Sequence, residues 1–316
     1  MNFVRTLTLR QLQIFAVAAR HLSYARAAEE LHLTPPAVSM QLKQLEDNAG
    51  LPLFERMGRG VALTEAGQML VHHALRILGE INDAEASLQA LLGAEVGQLS
   101  VGLVSTAKYF MPRLLAQFAQ RHPGVAVQFA VGNRELLLQK LQDNAIDLAV
   151  MGRTPVEIDA HAEPMASHPY ILIGPADHPL RDARRFDLHE LRHETFLLRE
   201  EGSGSRRVAE EMFRNHLFTP PRTISMGSNE TIKQAVMAGM GISLISLHTL
   251  PLELKTGEVS VLDVIGTPIE RTWYVVHMNG KRLLPAGQKF RNFLLDEAAP
   301  GLEREFGRYL AAHTAA

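Results

Sequence analysis

Apolar residues recur at intervals of three and four along the first part of the chain, which is the spacing of one face of a helix. Three such runs predict short helices at residues 8–20, 24–31 and 35–48. Ser23 and Thr34 suit the N-caps of the second and third helices, and Pro35 suits the first position of the third, where its missing N–H is not needed. Two short strand-like runs around a glycine-rich turn follow. The pattern predicts an all-α winged helix-turn-helix domain over residues 1–63.

One long helix is predicted next, because no proline interrupts residues 64–93. Its apolar residues form an a/d seam with alternating spacings of four and three: Leu70, Ala74, Ile77, Ile81, Ala84, Leu88 and Leu91. A seam of two apolar residues per heptad is narrower than the core face of an ordinary helix. We therefore expect a linker helix that pairs with a second copy of the chain, and the alternative is a core helix with an apolar stripe.

From residue 94 onward, β-rich runs alternate with helical runs, which is typical of doubly wound parallel sheets. Strands are predicted at 99–104, 125–131, 147–151, 169–174, 195–198, 222–226, 242–245 and 271–277. Helices are predicted at 107–122, 134–143, 204–217, 229–239 and 285–298. We expect an α/β domain over residues 94–316 with two lobes and a cleft, the first lobe from about 94–166 and 270–300 and the second from about 167–269.

Composition changes this picture mainly by exclusion. Hydrophobic residues make up 46% and charged residues 21% of the chain, which is ordinary for a globular protein. The absence of cysteine excludes disulfides, cysteine zinc sites and thiol nucleophiles. No long apolar run predicts a membrane span or a signal peptide, so we expect a cytoplasmic protein. The net charge of −2 does not by itself indicate a nucleic-acid partner.

The third predicted helix has two unlike faces. Val38, Leu42 and Leu45 form a narrow apolar arc, whereas the opposite side begins with two prolines and is largely polar. In helix-turn-helix proteins the start of the recognition helix enters the major groove, and arginines on a flexible wing suit phosphate or minor-groove contacts. The predicted DNA-binding residues are Ser23, Arg26, Thr34, Pro35, Pro36, Ser39, Met40, Lys43, Arg56 and Arg59.

Hydroxyl, amide and cationic side chains follow several predicted strands of the α/β domain and lie at helix starts. In open α/β folds these positions meet at a ligand-binding edge, and helix N-termini with cations suit an anion. Each residue has a simpler alternative role as a helix cap. The predicted ligand-binding residues are Ser105, Thr106, Lys108, Asn133, Arg134, Arg153, Gly202, Ser203, Ser205, Arg206, Ser228 and Asn229. Several cations together favour a phosphorylated metabolite.

The N-terminal phrases of the sequence resemble those of the LysR-type transcription regulators. The matching stretches are residues 23–31, 34–39, 45–46, 53–56 and 63–67, together with Gly50. This resemblance implies a DNA-binding domain, a dimerisation linker helix and a two-lobed effector-binding domain of periplasmic-binding-protein type. Met40 departs from the pattern, because many relatives carry a polar or basic groove residue there.

Phrases in the α/β domain resemble the regulators of Calvin-cycle carbon-fixation (RuBisCO) operons. They are residues 105–110, 121–125, 132–135, 147–153 and 199–206. The resemblance implies an activator that forms a homodimer or homotetramer, binds promoter DNA with an imperfect palindrome and acts with RNA polymerase. It also implies a small-molecule effector, such as ribulose bisphosphate, phosphoenolpyruvate or NADPH, and no other cofactor.

Three alternatives remain at this point. The chain could regulate another pathway through a different small anion, it could be a plain solute-binding protein, or it could be an enzyme. Fourteen histidines are present, but no His-Glu-x-x-His motif, phosphate loop or Gly-x-Ser-x-Gly elbow accompanies them. We therefore expect no catalytic residues and no metal site.

Overall fold

The computed structural model describes residues 3–57, 60–91 and 97–314. The chain falls into two compact units, Met1–Ala94 with Gln142–Ala145 and Glu95–Leu141 with Ile146–Ala316. They are called the first and second unit below. The domain and lobe boundaries expected from the sequence stay predictions, and the predicted DNA-binding residue Arg59 lies outside the described residues.

The first unit contains five helices and a two-stranded antiparallel wing among its described residues. The helices are α1 Phe3–Thr6, α2 Leu9–His21, α3 Tyr24–Glu30, α4 Pro35–Ala49 and α5 Glu65–Leu91, and the strands are β1 Phe54–Met57 and β2 Gly60–Leu63. Thr8 begins α2 with a capping box, in which its hydroxyl accepts from the Gln11 N–H and its own N–H donates to the Gln11 side chain. All three predicted helices and the wing strands are confirmed within two residues.

Aromatic packing and one carboxylate hold the wing against the helices. The Phe54 ring packs edge-on against Phe15 and Tyr24, with centroids 5.6 and 5.4 Å apart. Glu46, near the end of α4, accepts hydrogen bonds from the backbone N–H groups of Leu53 at 2.7 Å and Phe54 at 3.0 Å. These contacts join α4 directly to β1, the first wing strand.

The apolar seam of α5 has two parts with different environments. Ala74 is fully buried in the core of the first unit, and Leu70 packs against that core. Ile77, Ile81 and Leu88 are instead 40%, 44% and 63% exposed. The core-helix alternative therefore holds for the beginning of α5, while its later turns present apolar side chains without cover from the described part of the chain.

The remaining strands form one large and two small sheets. They are β3 Gly97–Val104, β4 Val125–Gly132, β5 Leu148–Met151, β6 Ala160–Ser167, β7 Tyr170–Pro175, β8 Thr195–Arg199, β9 Arg222–Met226, β10 Ser243–Ser246, β11 Val259–Leu262 and β12 Thr272–Met278. The helices are α6 Met111–Arg121, α7 Arg134–Gln142, α8 Gly204–Asn215, α9 Asn229–Met237, α10 Pro251–Thr256, α11 Pro285–Asn292 and α12 Ala299–Thr314.

The five-stranded sheet has the order β4-β3-β5-β12-β6. β3 pairs in parallel with β4 and β5, as the alternating pattern predicts, but β12 is antiparallel to both β5 and β6. β12 therefore runs against the direction of the other four strands, and it enters the sheet late in the chain, after β7–β11. The sheet is therefore mixed rather than wholly parallel.

The other strands form a three-stranded antiparallel sheet, β10-β7-β11, and a parallel pair, β8 and β9. Trp273, Phe118 and Phe290 are fully buried in the largest core of the second unit. A π-helical turn over Phe293–Ala298 joins α11 to α12, and Leu302 and Phe306 of α12 reach the same core. The helix predicted at 285–298 thus continues well beyond its expected end. No helix of the described ranges is long and apolar enough to cross a bilayer.

Gly67, near the start of α5, lies against the backbone of Leu53, the residue just before β1. A Cβ atom at this position would stand 2.1 Å from the carbonyl oxygen of Leu53, so Gly67→Ala must displace backbone. We expect the variant to lower the free energy of unfolding by about 1–3 kcal/mol. Urea unfolding followed by circular dichroism measures this. Gly60→Ala is the control, since its nearest atom lies 3.8 Å away; equal losses in both variants would contradict the prediction.

Candidate functional site

The solvent-facing start of α4 carries most of the predicted DNA-binding residues. The Thr34 hydroxyl accepts from the Ala37 N–H at 3.4 Å and so caps the helix, with Pro35 in its first turn. The exposed residues at or near this helix start are Thr34, Pro35, Pro36, Ser39, Met40 and Lys43. Val38, Leu42 and Leu45 are buried on the opposite face, as predicted. The described residues offer neither Lys43 nor Arg56 of β1 an ion-pair partner.

Ser23 and Arg26 belong to the helix before this one. The Ser23 hydroxyl accepts from the Arg26 N–H at 3.4 Å, so Ser23 acts as the N-cap of α3. The Arg26 side chain is exposed. The surface therefore combines a small, partly apolar helix start with exposed cations, which is suited to a DNA groove and its phosphates.

A cavity of about 530 Å³ lies in the second unit, where β3, β4, β5 and β8 end and α7 and α8 begin. Eight of the predicted ligand-binding residues line it: Ser105, Thr106, Asn133, Arg134, Arg153, Gly202, Ser203 and Ser205. Sequence reasoning therefore found the edge of the sheet at which the cavity opens.

Four predicted residues do not line the cavity. Lys108 is exposed, with its ammonium 5.2 Å from the centroid of the Tyr109 ring. Ser228 is the N-cap of α9, its hydroxyl accepting from the Thr231 N–H at 3.1 Å. Asn229 is buried behind the wall, where its carbonyl oxygen accepts from Arg199 at 2.7 Å.

Arg206 is the fourth, and its neighbour Arg207 lines the cavity instead. Arg206 donates to Glu210 at 2.8 Å and to the Arg199 carbonyl at 3.3 Å. Positions 204, 207, 208 and 211 share one stripe of α8, and all four line the cavity. This helical spacing is visible in the sequence, and it favours Arg207 over the predicted Arg206 as the residue that faces the cavity.

Arg134 builds the wall of the cavity. Its guanidinium pairs with Glu157 at 2.7 Å and donates to the carbonyls of Arg153 at 3.0 Å and Thr154 at 2.9 Å. The hydrogen bond between Arg134 and Glu157 is the main reason that the pKa of Glu157 is lowered to about 2. With these acceptors in place, Arg134 holds the loop after β5 and has little capacity left for a ligand.

Arg199 is the most buried cation of the wall, and sequence reasoning missed it. Its guanidinium pairs with Glu200 at 2.6 Å and donates to the Ser105 hydroxyl at 3.2 Å as well as to Asn229. It therefore joins the end of β8 to the residue after β3 and to the start of α9. Arg271, also missed, pairs with Glu211 at 2.7 Å.

Arg153 and Arg207 are the least neutralised cations at the cavity. Arg153 shares Glu157 with Arg134, at 3.1 Å. Arg207 has no hydrogen bond or ion pair from its side chain to any described residue. Burial, and then the charges of Arg134 and Arg207, lower the pKa of Arg153. Like charges that repel one another at a cavity are stabilised by a bound anion.

Two buried rings complete the lining and were also missed by the sequence. His168 stacks on Trp273 with centroids 3.7 Å apart, and its Nε2 is hydrogen-bonded to the Ser246 hydroxyl at 2.9 Å. Its buried Nδ1 has no hydrogen-bond partner among the described residues. The Tyr170 hydroxyl lies 3.5 Å from that of Ser205.

The lining carries a net positive charge, because it contains five arginines and two glutamates. The arginines are Arg134, Arg153, Arg199, Arg207 and Arg271, and the glutamates are Glu200 and Glu211. Ser203 begins α8 without a side-chain cap, and the first residues of that helix, Gly204 and Ser205, line the cavity. The arrangement is chemically suited to a small anion with several hydrogen-bond acceptors.

Two family models match the chain. "Bacterial regulatory helix-turn-helix protein, lysR family" matches residues 9–68, and "LysR substrate binding domain" matches residues 92–299.

Curated relatives match over nearly their whole length. The chain is 64% identical to the HTH-type transcriptional regulator CfxR of Cupriavidus necator, covering 97% of this chain and 96% of that protein. It is 51% identical to the HTH-type transcriptional regulator CbbR of Rhodospirillum rubrum, covering 90% and 95%. A RuBisCO operon transcriptional regulator of Allochromatium vinosum is 48% identical, with 92% and 97% covered.

Solved structures also resemble the chain. The regulatory domain of CcmR from Synechocystis, in complex with 2-PG, is 39% identical, with a TM-score of 0.59 over 63% of this chain and 96% of that one. Full-length CbnR complexed with its target DNA has a TM-score of 0.68 over 91% and 99%. At 22% identity the latter shows a shared fold alone.

His168 and His248 generate a prediction about pH. Burial lowers the pKa of His248 to about 3 and that of His168 well below its ordinary value, so both stay neutral on folding. Below pH ~6.5 the unfolded chain binds these two protons and the folded chain does not, so stability falls as the pH falls. We expect a loss of about 1 kcal/mol for each histidine between pH 6.5 and 5.5, and a slope that approaches about 1.4 kcal/mol per pH unit at lower pH.

Urea unfolding between about pH 6.5 and 5.5 tests this, because most carboxyl groups titrate at lower pH. In His168→Asn, the number of protons that the chain takes up on unfolding is expected to fall by about one, so stability depends less steeply on pH. His193→Asn, at an exposed position, serves as the control. A pH dependence that His168→Asn leaves unchanged is the contrary result.

Proposed function

Because the chain belongs to the LysR family of DNA-binding transcription regulators, we propose that it controls a Calvin-cycle carbon-fixation operon in response to a small phosphorylated anion. The names of the curated relatives support the operon. The observation that carries the effector is the cavity with Arg153 and Arg207, two arginines whose charges are incompletely neutralised. A regulator of another pathway that senses a different anion is the second candidate, since the same cavity suits other anions.

DNA recognition is proposed to use the exposed start of α4. Ser39 and Met40 are placed to meet base edges and thymine methyl groups in the major groove. Lys43, Arg26, Arg56 and Arg59 supply phosphate contacts, which position the protein without reading sequence. Since Met40 is apolar and 64% exposed, much of the affinity is expected to come from the phosphates.

The exposed later turns of α5 are proposed to pair two chains. Ile77, Ile81 and Leu88 continue the a/d spacing and remain uncovered by the described residues of a single chain. A dimer carries two recognition helices, which matches the two half-sites of an imperfect palindrome. We propose a homodimer or homotetramer in the cytoplasm, where the promoter and RNA polymerase are found.

The effector is proposed to bind with its phosphoryl group between Arg153, Arg207 and the start of α8. The hydroxyls of Ser105, Thr106, Ser203 and Ser205 offer further hydrogen bonds to its oxygens. 2-Phosphoglycolate, the ligand of the CcmR neighbour, has this chemistry. Ribulose bisphosphate and phosphoenolpyruvate also carry phosphoryl groups and are further candidates, whereas NADPH is not supported.

The coupling between effector and DNA follows from linkage. An anion changes DNA binding only as far as it binds one conformation of the regulator better than another. The effect is reciprocal, so operator DNA must change the affinity for the effector by the same factor.

Lys43→Ala tests the DNA surface. We expect weaker binding to all sequences and a slope of log K against log salt that is smaller by about 1, because one phosphate contact is lost. Fluorescence anisotropy on a promoter fragment at several salt concentrations measures both quantities. Lys255→Ala, an exposed lysine of α10, is the matched control. The absence of sequence-selective binding by the unaltered chain would contradict the proposed function.

Arg207→Gln tests the effector site, with its sequence neighbour Arg206→Gln as the matched control. We expect Arg207→Gln to weaken binding of 2-phosphoglycolate about tenfold or more, because a charge-assisted hydrogen bond is lost. Arg206→Gln should change it little, because Arg206 faces Glu210. Isothermal titration calorimetry measures both affinities. Equal losses in the two variants would show that Arg207 has no direct role.

A further inference from the structure

Two histidines and a glutamate stand together on one face at the edge of the five-stranded sheet. β6 is the edge strand and pairs antiparallel with β12, with His161 directly opposite His277. Glu163 lies two residues along β6 and therefore on the same face as His161. One ligand atom from each of the three residues lies within 4.8 Å of the others. None of the three lines the cavity described above.

One nitrogen of the His277 ring is hydrogen-bonded to the backbone, which leaves the other available as a metal ligand. Its Nδ1–H donates to the Met278 carbonyl at 3.2 Å, because a carbonyl can only accept. The Nε2 lone pair is therefore free to bind a metal ion, and metal-ligating histidines ordinarily make such a bond with their other nitrogen.

Glu163 supplies a carboxylate that a neighbouring side chain orients. Arg291 donates a hydrogen bond to each of its two oxygens. His161 Nε2 lies 3.8 Å from the Glu163 Oε1 atom, and the His161 ring is exposed on the other side. The guanidinium of Arg291 orients the carboxylate, but it also opposes a second cation.

We propose that His161, Glu163 and His277 form a surface site for one divalent transition-metal ion of the zinc type. Two imidazole nitrogens and one carboxylate oxygen suit Zn²⁺ and its neighbours, whereas Mg²⁺ and Ca²⁺ prefer oxygen ligands alone. Tetrahedral Zn²⁺ holds its ligand atoms about 3.3 Å apart, so side chains whose ligand atoms lie within 4.8 Å of one another must draw closer together when the ion binds. Water completes the fourth position.

Such an ion would join β6 to β12 in addition to their backbone hydrogen bonds. The bound ion stabilises only the folded chain, so its affinity appears directly as a rise in Tm. This consequence concerns the sheet edge and does not depend on the identity of the effector or of the operator.

ZnCl2 titrated into the metal-free full-length chain tests the proposal by isothermal titration calorimetry. We expect one ion per chain at this site, and an affinity that falls about tenfold or more in His161→Ala and in His277→Ala. His193→Ala, which removes an exposed histidine elsewhere in the second unit, should leave the affinity unchanged. A rise in Tm with ZnCl2 should disappear in His277→Ala while the metal-free Tm of that variant shows that it folds.

Arg291→Met provides the sharper result. Without the guanidinium the carboxylate is free for the ion, so we expect Zn²⁺ to bind severalfold more tightly. An unchanged affinity would remove Glu163 from the site and overturn the three-ligand arrangement. Zn²⁺ binding that survives both histidine substitutions, or that is lost equally in His193→Ala, would overturn the site altogether.

Discussion

The ion pair and hydrogen bonds of one buried guanidinium hold the ligand cavity together. Arg199 is only 6% exposed, and a charge so far from water is costly unless its donors are satisfied. Glu200, Ser105 and Asn229 satisfy them, and they lie in three different parts of the chain. The cost of leaving this charge unpaired therefore fixes the strand ends and the helix start between which a ligand binds.

The arginines around the cavity divide into two groups with different work. Arg134, Arg199 and Arg271 have carboxylate partners and shape the wall, whereas Arg207 has none among the described residues and Arg153 shares one. A ligand competes poorly for a cation that already has a close carboxylate, so we expect the second group to carry the recognition. Loss of Arg199 leaves the buried side-chain oxygen of Asn229 without its donor, so its effect on the fold is expected to exceed its effect on specificity.

Much of the fold follows from the sequence, because caps and helical spacing are local signals. Ser23 and Thr34 cap the helices that they were predicted to begin, and β3 to β5 follow the alternating pattern. β6 was not predicted, since it carries few apolar residues and contains Pro164, which an edge strand tolerates. For the ligand site, the sequence identified the loops that line the cavity but not which side chains face it. Which of two neighbouring arginines faces the cavity depends on the phase of α8, and the pairing of Arg199 with Asn229 depends on long-range contacts.

Glu46 joins the end of α4 to the start of β1 through two backbone N–H groups. The recognition helix and the wing strand are thus pre-organised as one rigid body before any DNA is met. Binding then loses less conformational entropy than it would if two independent elements had to be ordered against the groove. If the proposed phosphate contacts form, the remaining entropy loss falls on long exposed side chains such as Lys43 and Arg56, which become ordered only when the complex forms.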